Sequence, residues 1–234
     1  MSKNTCCKLS VHTEHELLLK LEKAGLGEAE AQKVIQSKGG QLAKKIVVLI
    51  RGESITLADW QDFYRKIFGI EIDLSGLHIP DAKTDFDRVI VIVKSLALNQ
   101  VFKACKDYFP SYSYHKDLDE AVTKNDRTAD KTYTIRIRDR VEADDELKNF
   151  SANDLKEKGI KGITLLERLV LELKYFDETG RHMDISNLTL CSGSRDSNGK
   201  VLSVRWLIDG FGFCVGWSSP SDSYSDLRTR AVVC

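Results

Sequence analysis

The chain has 234 residues with 35 basic and 35 acidic side chains, a length that supports one full core and a second small one. A formal net charge of zero excludes a whole-molecule field that would draw it to nucleic acid or to an anionic membrane. No run of about 18 apolar residues offers a spanning helix, and the opening MSKNTCCKLSVHTEHELL lacks the apolar stretch of a secretory signal, so the expectation is a cytoplasmic protein without a membrane span. Cys6, Cys7, Cys105, Cys191, Cys214 and Cys234 form no C-x-x-C pair and keep no regular spacing. They read as reduced thiols rather than a disulfide framework or a zinc site; Cys191 and Cys214 would meet only if their strands pair.

In chain order, Leu17, Leu18, Leu21, Leu26, Val34 and Ile35 recur among charges around a Gly25–Gly27 break, which predicts two short amphipathic helices joined tightly. Leu42, Ile46, Leu49 and Ile50 extend a third apolar face, although IVVLI also suits a strand. Leu57, Trp60, Tyr64, Ile67 and Phe68 repeat at helical spacing up to Gly69, with Thr56 and Asp59 as an approximate capping pair. The segment 74–85, with Gly76, Pro80 and DAKTD, loses that periodicity and is the expected linker, giving a helical N-terminal domain over 1–80 and a second domain over 81–234.

RVIVIV from Arg88 reads as a strand buried on both faces, ALNQVFKACKDYF as a helix, and SYSYH as a short strand. TYTIRIRD sets Tyr133, Ile135 and Ile137 against Thr134, Arg136 and Arg138, the alternation of a half-exposed strand. Ser151 with Asp154 suits a helix cap. Thr164 opens the strongest helix, with Leu165, Leu166, Leu169, Val170, Leu173 and Phe176 on one face, Glu167, Arg168, Glu172 and Lys174 off it, and Gly180 at its close. TLCSGS, VLSVRW, FGFCVGW and LRTRAVV, separated by DSNGK and SSPSDSYSD, predict a terminal antiparallel β region. The fold class expected is α+β.

Catalytic patterns are weak. None of the five histidines sits beside a G-x-S-x-G elbow. His182 and Asp184 are two apart without a third ligand nearby, and surface turn residues are expected there. GSRDSNG lacks the strand-to-helix setting and the Lys-Ser or Lys-Thr ending of a phosphate loop and suits a hairpin. VEADDEL lacks the alternating oxygens and central glycine of a calcium loop, and suits a solvated helix start. Arg136, Arg138 and Arg140 form a basic edge that Asp139, Glu142 and Asp144 cancel. The expectation is no catalytic residue, no metal, no cofactor and no nucleic acid.

One stretch stands apart. Leu207 to Asp226, LIDGFGFCVGWSSPSDSYSD, has no Lys, Arg, Glu or Gln in a chain that is 30% charged. A buried strand followed by a Ser-rich turn accounts for part of this. Apart from Trp217, every residue type in it is also reachable from the codons AAC or AAT by changing adenines alone, whereas Lys, Glu, Gln and Met are not. Adenine-directed mutagenesis leaves such a filter.

SGSRDSNGKVLSVRW, then VGW, then LRTRAVV resemble the ends of the variable proteins of diversity-generating retroelements, which have a C-type lectin fold of the formylglycine-generating-enzyme type, and are similar to uncharacterised proteins of candidate-phylum bacteria. The likeness is most specific over 186–234 and bears little on 1–80. It implies a C-type lectin-like domain over 81–234 with a variable region at about 205–226. Trp206, Val215, Trp217, Leu227, Arg228 and Arg230 fall at the constant frame, large apolar anchors and arginines that tie down loop carbonyls. Leu207, Ile208, Asp209, Gly210, Phe211, Gly212, Gly216, Ser218, Ser219, Ser221, Asp222, Ser223 and Tyr224 fall where such proteins vary, and would face a protein or other macromolecular ligand. Phe213 and Cys214 stay open between core and surface. Cys191 and Cys214 stand 23 residues apart, unlike the closely spaced copper-holding pair of the related enzymes, and a Glu-Pro-Asn calcium loop is absent, so the resemblance implies binding without chemistry. The alternative is a generic interaction module acting through the N-terminal helices.

Overall fold

The computed structural model describes residues 10–37, 40, 42, 43, 46, 55–208 and 210–234. Helices and sheets both contribute, an α+β composition. The chain divides into two compact units, Met1–Ala58 and Asp59–Cys234.

In the first unit, α1 (Val11–Lys23) starts where the Ser10 hydroxyl accepts from the Thr13 amide. It ends before Gly25, whose φ of 98° turns the chain into α2 (Glu28–Gln36). Neither helix contains a buried residue. Of the expected third apolar face only Leu42 and Ile46 are described; Leu49, Ile50 and most of IVVLI lie outside the described residues.

The division falls inside α3 (Ile55–Phe68) rather than at residue 80. The helix begins one residue before Thr56, which therefore lies in its first turn instead of capping it. The reason for the earlier boundary is packing. β1 (Arg88–Ile92) pairs antiparallel with β4 (Tyr133–Ile137), and the carbonyls of Val89 and Val91 on the free edge of β1 accept from Trp60 Nε1 at 3.3 Å and Tyr64 Oη at 2.6 Å. The expected linker also lies on this pair: Thr134 Oγ1 donates to the His78 carbonyl at 2.6 Å and Arg136 Nε to the Pro80 carbonyl at 2.7 Å. Thr134, expected to be exposed, is buried by that cover.

The remaining elements are α4 (Leu98–Tyr108), β2 (Ser111–Ser113), α5 (Leu118–Ala121), β3 (Val122–Asn125), a 3-10 turn (Asp145–Leu147), α6 (Ala152–Glu157), α7 (Leu165–Thr179), β5 (Leu188–Asp196), β6 (Val201–Leu207), β7 (Gly212–Ser218) and β8 (Leu227–Arg228). They build a mixed sheet in the order β2-β7-β6-β5-β3, with β8 beside β5. β5, β6 and β7 form the expected antiparallel meander. The sheet as a whole is not antiparallel, because β2 joins β7 and β8 joins β5 in parallel. One sheet face carries Leu202, Val204, Phe213 and Val215 into the main core. On the opposite face, Leu190 and Val201 pack with Leu147, Ala152, Leu155 and Leu227 in a smaller core.

α7 has the ends its sequence predicts: Thr164 and Glu167 form a capping box, and Gly180 closes it at φ 67°. Its charged residues do not lie in water. Glu167, Arg168, Glu172 and Lys174 are all buried, so the helix is enclosed on every side for its first ten residues. Partners within the helix, such as Glu172 for Arg168, and others brought from elsewhere in the chain make that tolerable.

Candidate binding surface

The floor of the C-terminal sheet is a buried ion network. Arg168 reaches Asp184 through Nε at 3.0 Å and Nη2 at 2.8 Å, and Glu172 through Nη1 at 2.8 Å. Arg230 donates to the other Asp184 oxygen at 2.6 Å and to the carbonyls of Arg140 and Val141 at 2.8 Å. Thr189 Oγ1 also donates to Asp184. Two guanidinium groups thus face two carboxylates, and the forked geometry of arginine supplies enough donors to offset their removal from water. Burial alone would raise the Asp184 carboxyl; Arg230 and Arg168 together hold it below the ordinary value. His182 and Asp184, expected as surface turn residues, belong to this interior. His182 Nδ1 lies 2.9 Å from Glu172, and its ring stacks on Trp206 with centroids 3.3 Å apart.

The network fixes the start of the surface. The Trp206 amide donates to the Asp184 carbonyl at 3.0 Å, and the Arg168 guanidinium lies 5.6 Å from the Phe213 ring. Trp206 pairs with Phe213, and Leu207 with Gly212, so the β6–β7 hairpin turns through 208–211. Ile208 is 79% exposed and Phe211 66% exposed there, and Gly210 is exposed with them; Asp209 lies outside the described residues. Leu207 is half-buried.

Gly212 departs from its expected place among the varying positions. It is buried at φ 72°, and a Cβ on it would lie 2.2 Å from the Pro110 carbonyl oxygen. Only glycine fits where β7 passes β2 so closely. Phe213 is core, and Cys214 is buried, its thiol pushed up by burial against the opposing effect of Arg205. Val215 and Leu227 are buried, whereas Arg228 is half-buried with Nε donating to the Ser225 carbonyl at 3.1 Å.

Trp217, expected in the core, is 46% exposed. It stands one residue from the end of β7, and the Lys200 ammonium, 2.9 Å from its ring centroid, covers it in place of apolar packing.

The loop after β7 is self-bonded. Ser219 N donates to Asp222 Oδ2 at 2.7 Å, Asp222 N to the Ser219 carbonyl at 3.0 Å, and the Ser219 and Ser221 hydroxyls lie 3.1 Å apart. Ser218, Ser219 and Asp222 are half-buried, so Ser219 and Asp222 hold the turn as much as they face outward. Ser223 Oγ donates to the Asn149 carbonyl, and the Asn153 amide to that of Pro220 at 3.1 Å. Ser221, Ser223 and Tyr224 are exposed, Tyr224 by 58%.

The expected positions therefore form two groups rather than one. The hairpin tip and the 219–224 loop flank opposite ends of β7, whose seven residues separate them by about 20 Å. Between them lies a sheet face that sequence reasoning missed, where Tyr112 and Tyr114, 49% and 66% exposed, stand beside β7 and pack edge to face at 5.1 Å. Gly216 is half-buried beside Tyr114. Alternating exposed tyrosines in SYSY were the available signal.

Other chemistry is sparse. Cys191 and Cys214 are free buried thiols on strands separated by β6. Among the described residues no three metal-ligating side chains come together, and no helix is long and apolar enough to cross a membrane. A depression of about 160 Å³ lined by Lys66, Ile67, Tyr108, Leu173, Phe176 and Asp177 is well below the usual size of a small-molecule site. Arg138 pairs with Asp144 and Arg140 with Glu146, which neutralises the expected basic edge. The sequence matches no protein-family model, and comparison with curated proteins and with solved structures finds no match.

Proposed function

We propose that this chain is a ligand-binding protein without catalytic activity, whose 81–234 region is a C-type lectin-like domain and whose C-terminal surface is rewritten by retroelement mutagenesis. The observation that carries the reading is the exposure of Ile208, Phe211 and Tyr224 within a stretch whose residue types, Trp217 apart, match adenine-directed codon change. Large side chains in water are worth retaining where they meet a partner. They project from a sheet held by the Arg168–Asp184–Arg230 network, and a rigid scaffold with replaceable surface side chains lets specificity change while the fold persists.

Gly212, Phe213 and Val215 stand as fixed positions inside the stretch, and Gly210, exposed but at φ 98°, is held to glycine by its backbone, while Ile208, Phe211, Ser221, Ser223 and Tyr224 are free to vary. Sequencing the DNA around the coding region tests this. A reverse-transcriptase gene and a near-copy of the 3′ coding segment, differing only opposite adenines and mainly at those free codons, are expected. A neighbourhood with neither contradicts diversification.

A second reading is favoured by the first unit. Val11 and Ile35 are the most exposed apolar residues of α1 and α2, and neither helix buries a side chain. These helices would then dock on a partner through their apolar stripes. Loss of ligand binding on deleting residues 1–54, with 55–234 still folded, would favour it.

A further inference from the structure

We infer that the open face of β2, β7 and β6 is the centre of the ligand surface and takes a protein partner that presents a carboxylate to Arg205 and an apolar side chain to Tyr112 and Tyr114. The inference rests on the binding reading of this same region. Register places the three strands' side chains in rows. Tyr112 lies opposite Cys214, which lies opposite Arg205, and neighbours in such a row stand about 5 Å apart. In the next row the Tyr114 amide continues the ladder to the Val215 carbonyl at 3.2 Å. A Cβ on Gly216 would lie 3.7 Å from the Tyr114 ring and 3.5 Å from Ser203 Oγ. Small side chains in the middle strand thus leave a shelf between the tyrosines and Arg205.

Charge identifies the occupant. The arginines around this sheet are committed: Arg168 and Arg230 to Asp184, Arg138 to Asp144, Arg140 to Glu146, Arg228 to Asp145, and Arg195 to the Ser192 carbonyl. Arg205 is exposed, and its guanidinium makes no hydrogen bond or ion pair to a described residue. A guanidinium standing free beside two mutually packed tyrosines has the side-chain types that carry most binding energy in protein interfaces, and tyrosine contributes area at low entropic cost. A nucleic acid would need a string of cations along its backbone, and one arginine on a chain of zero net charge does not supply it. The shelf lies along β7 between the two separated groups, the tip with Ile208 and Phe211 and the loop with Tyr224.

The test is to pan a random dodecapeptide phage library on the full chain and to titrate the selected peptides against variants whose melting temperatures match the parent. Enriched peptides are expected to carry Asp or Glu near an aromatic or branched residue. They should lose about tenfold or more in affinity on Arg205→Glu and on the double change Tyr112→Ala with Tyr114→Ala, to keep it on Lys124→Glu, and to recover against Arg205→Glu when their acid is changed to Lys. Peptides without acidic enrichment, or indifferent to Arg205 and to both tyrosines, overturn the inference. If those peptides still need Ile208 and Phe211, the broader binding reading survives without it; if no peptide is enriched, both fail.

Discussion

Asp184 is enclosed, yet it accepts from Arg168, Arg230 and Thr189, and every one of these comes from a different segment. Removing one cation leaves a buried carboxylate poorly compensated, so Arg168→Met is expected to cost about 3–5 kcal/mol in urea unfolding. The pH dependence has a definite sign. The Asp184 carboxyl is held below its ordinary 3.8, so its contribution is fully present above that value and is lost as pH falls through its lower folded value. Asp144, pushed up by burial, acts in the opposite sense and weakens the native state as it ionises. Asp184→Asn should therefore flatten the acid limb of the stability curve below about pH 4, and Asp144→Asn should not. Gly212 illustrates a different constraint: Gly212→Ala meets both a left-handed φ and the Pro110 carbonyl. A loss of about 1–3 kcal/mol is expected, against a smaller loss for Gly210→Ala, which meets a positive φ of 98° but no atom within 4 Å.

At the level of elements, α7 was legible at both ends because capping is local: Thr164, Glu167 and Gly180 act within a turn of where they stand. Its burial was not legible. Helical periodicity separates an apolar face from a charged one, but cannot say that Arg127 will reach Glu167 from 40 positions away or that Asp184 and Arg230 will complete Arg168 and its neighbours. The same limit hid the partner of β2, which SYSYH announces as a short strand, since its parallel pairing with β7 joins Ser111 to Phe213 across the chain. The hairpin of β5 and β6 was readable from the DSNGK turn, and Trp217 was misplaced because a strand-like run does not say where the cover ends. α3 offers the sharpest check on long-range capping. Tyr64→Phe keeps the ring but leaves the Val91 carbonyl without its donor, and should cost about 1–3 kcal/mol.

For the whole molecule, the boundary after Ala58 and the split of the expected surface both follow from which segments share a core. The 74–85 segment looked like a linker because it is polar and irregular, yet its carbonyls satisfy Thr134 and Arg136. A chain begun at residue 81 loses Trp60, Phe63 and Tyr64 from the core and should fail to fold cooperatively by calorimetry. A chain begun at residue 55 should retain a single transition.

The central claim is that an exposed surface at the β6–β7 hairpin and the β7–β8 loop is free to change on a scaffold that is not. The most direct measurement is a saturation scan of residues 205–230 on a display host, reading folded chain by protease resistance for every substitution. The account predicts broad tolerance at Ile208, Phe211, Ser221, Ser223 and Tyr224, with sharp intolerance at Trp206, Gly212, Phe213, Val215, Leu227 and Arg230. If substitutions at Ile208, Phe211 and Tyr224 unfold the chain as readily as those at Phe213 and Arg230, those side chains serve the fold, and the surface described is not a binding site.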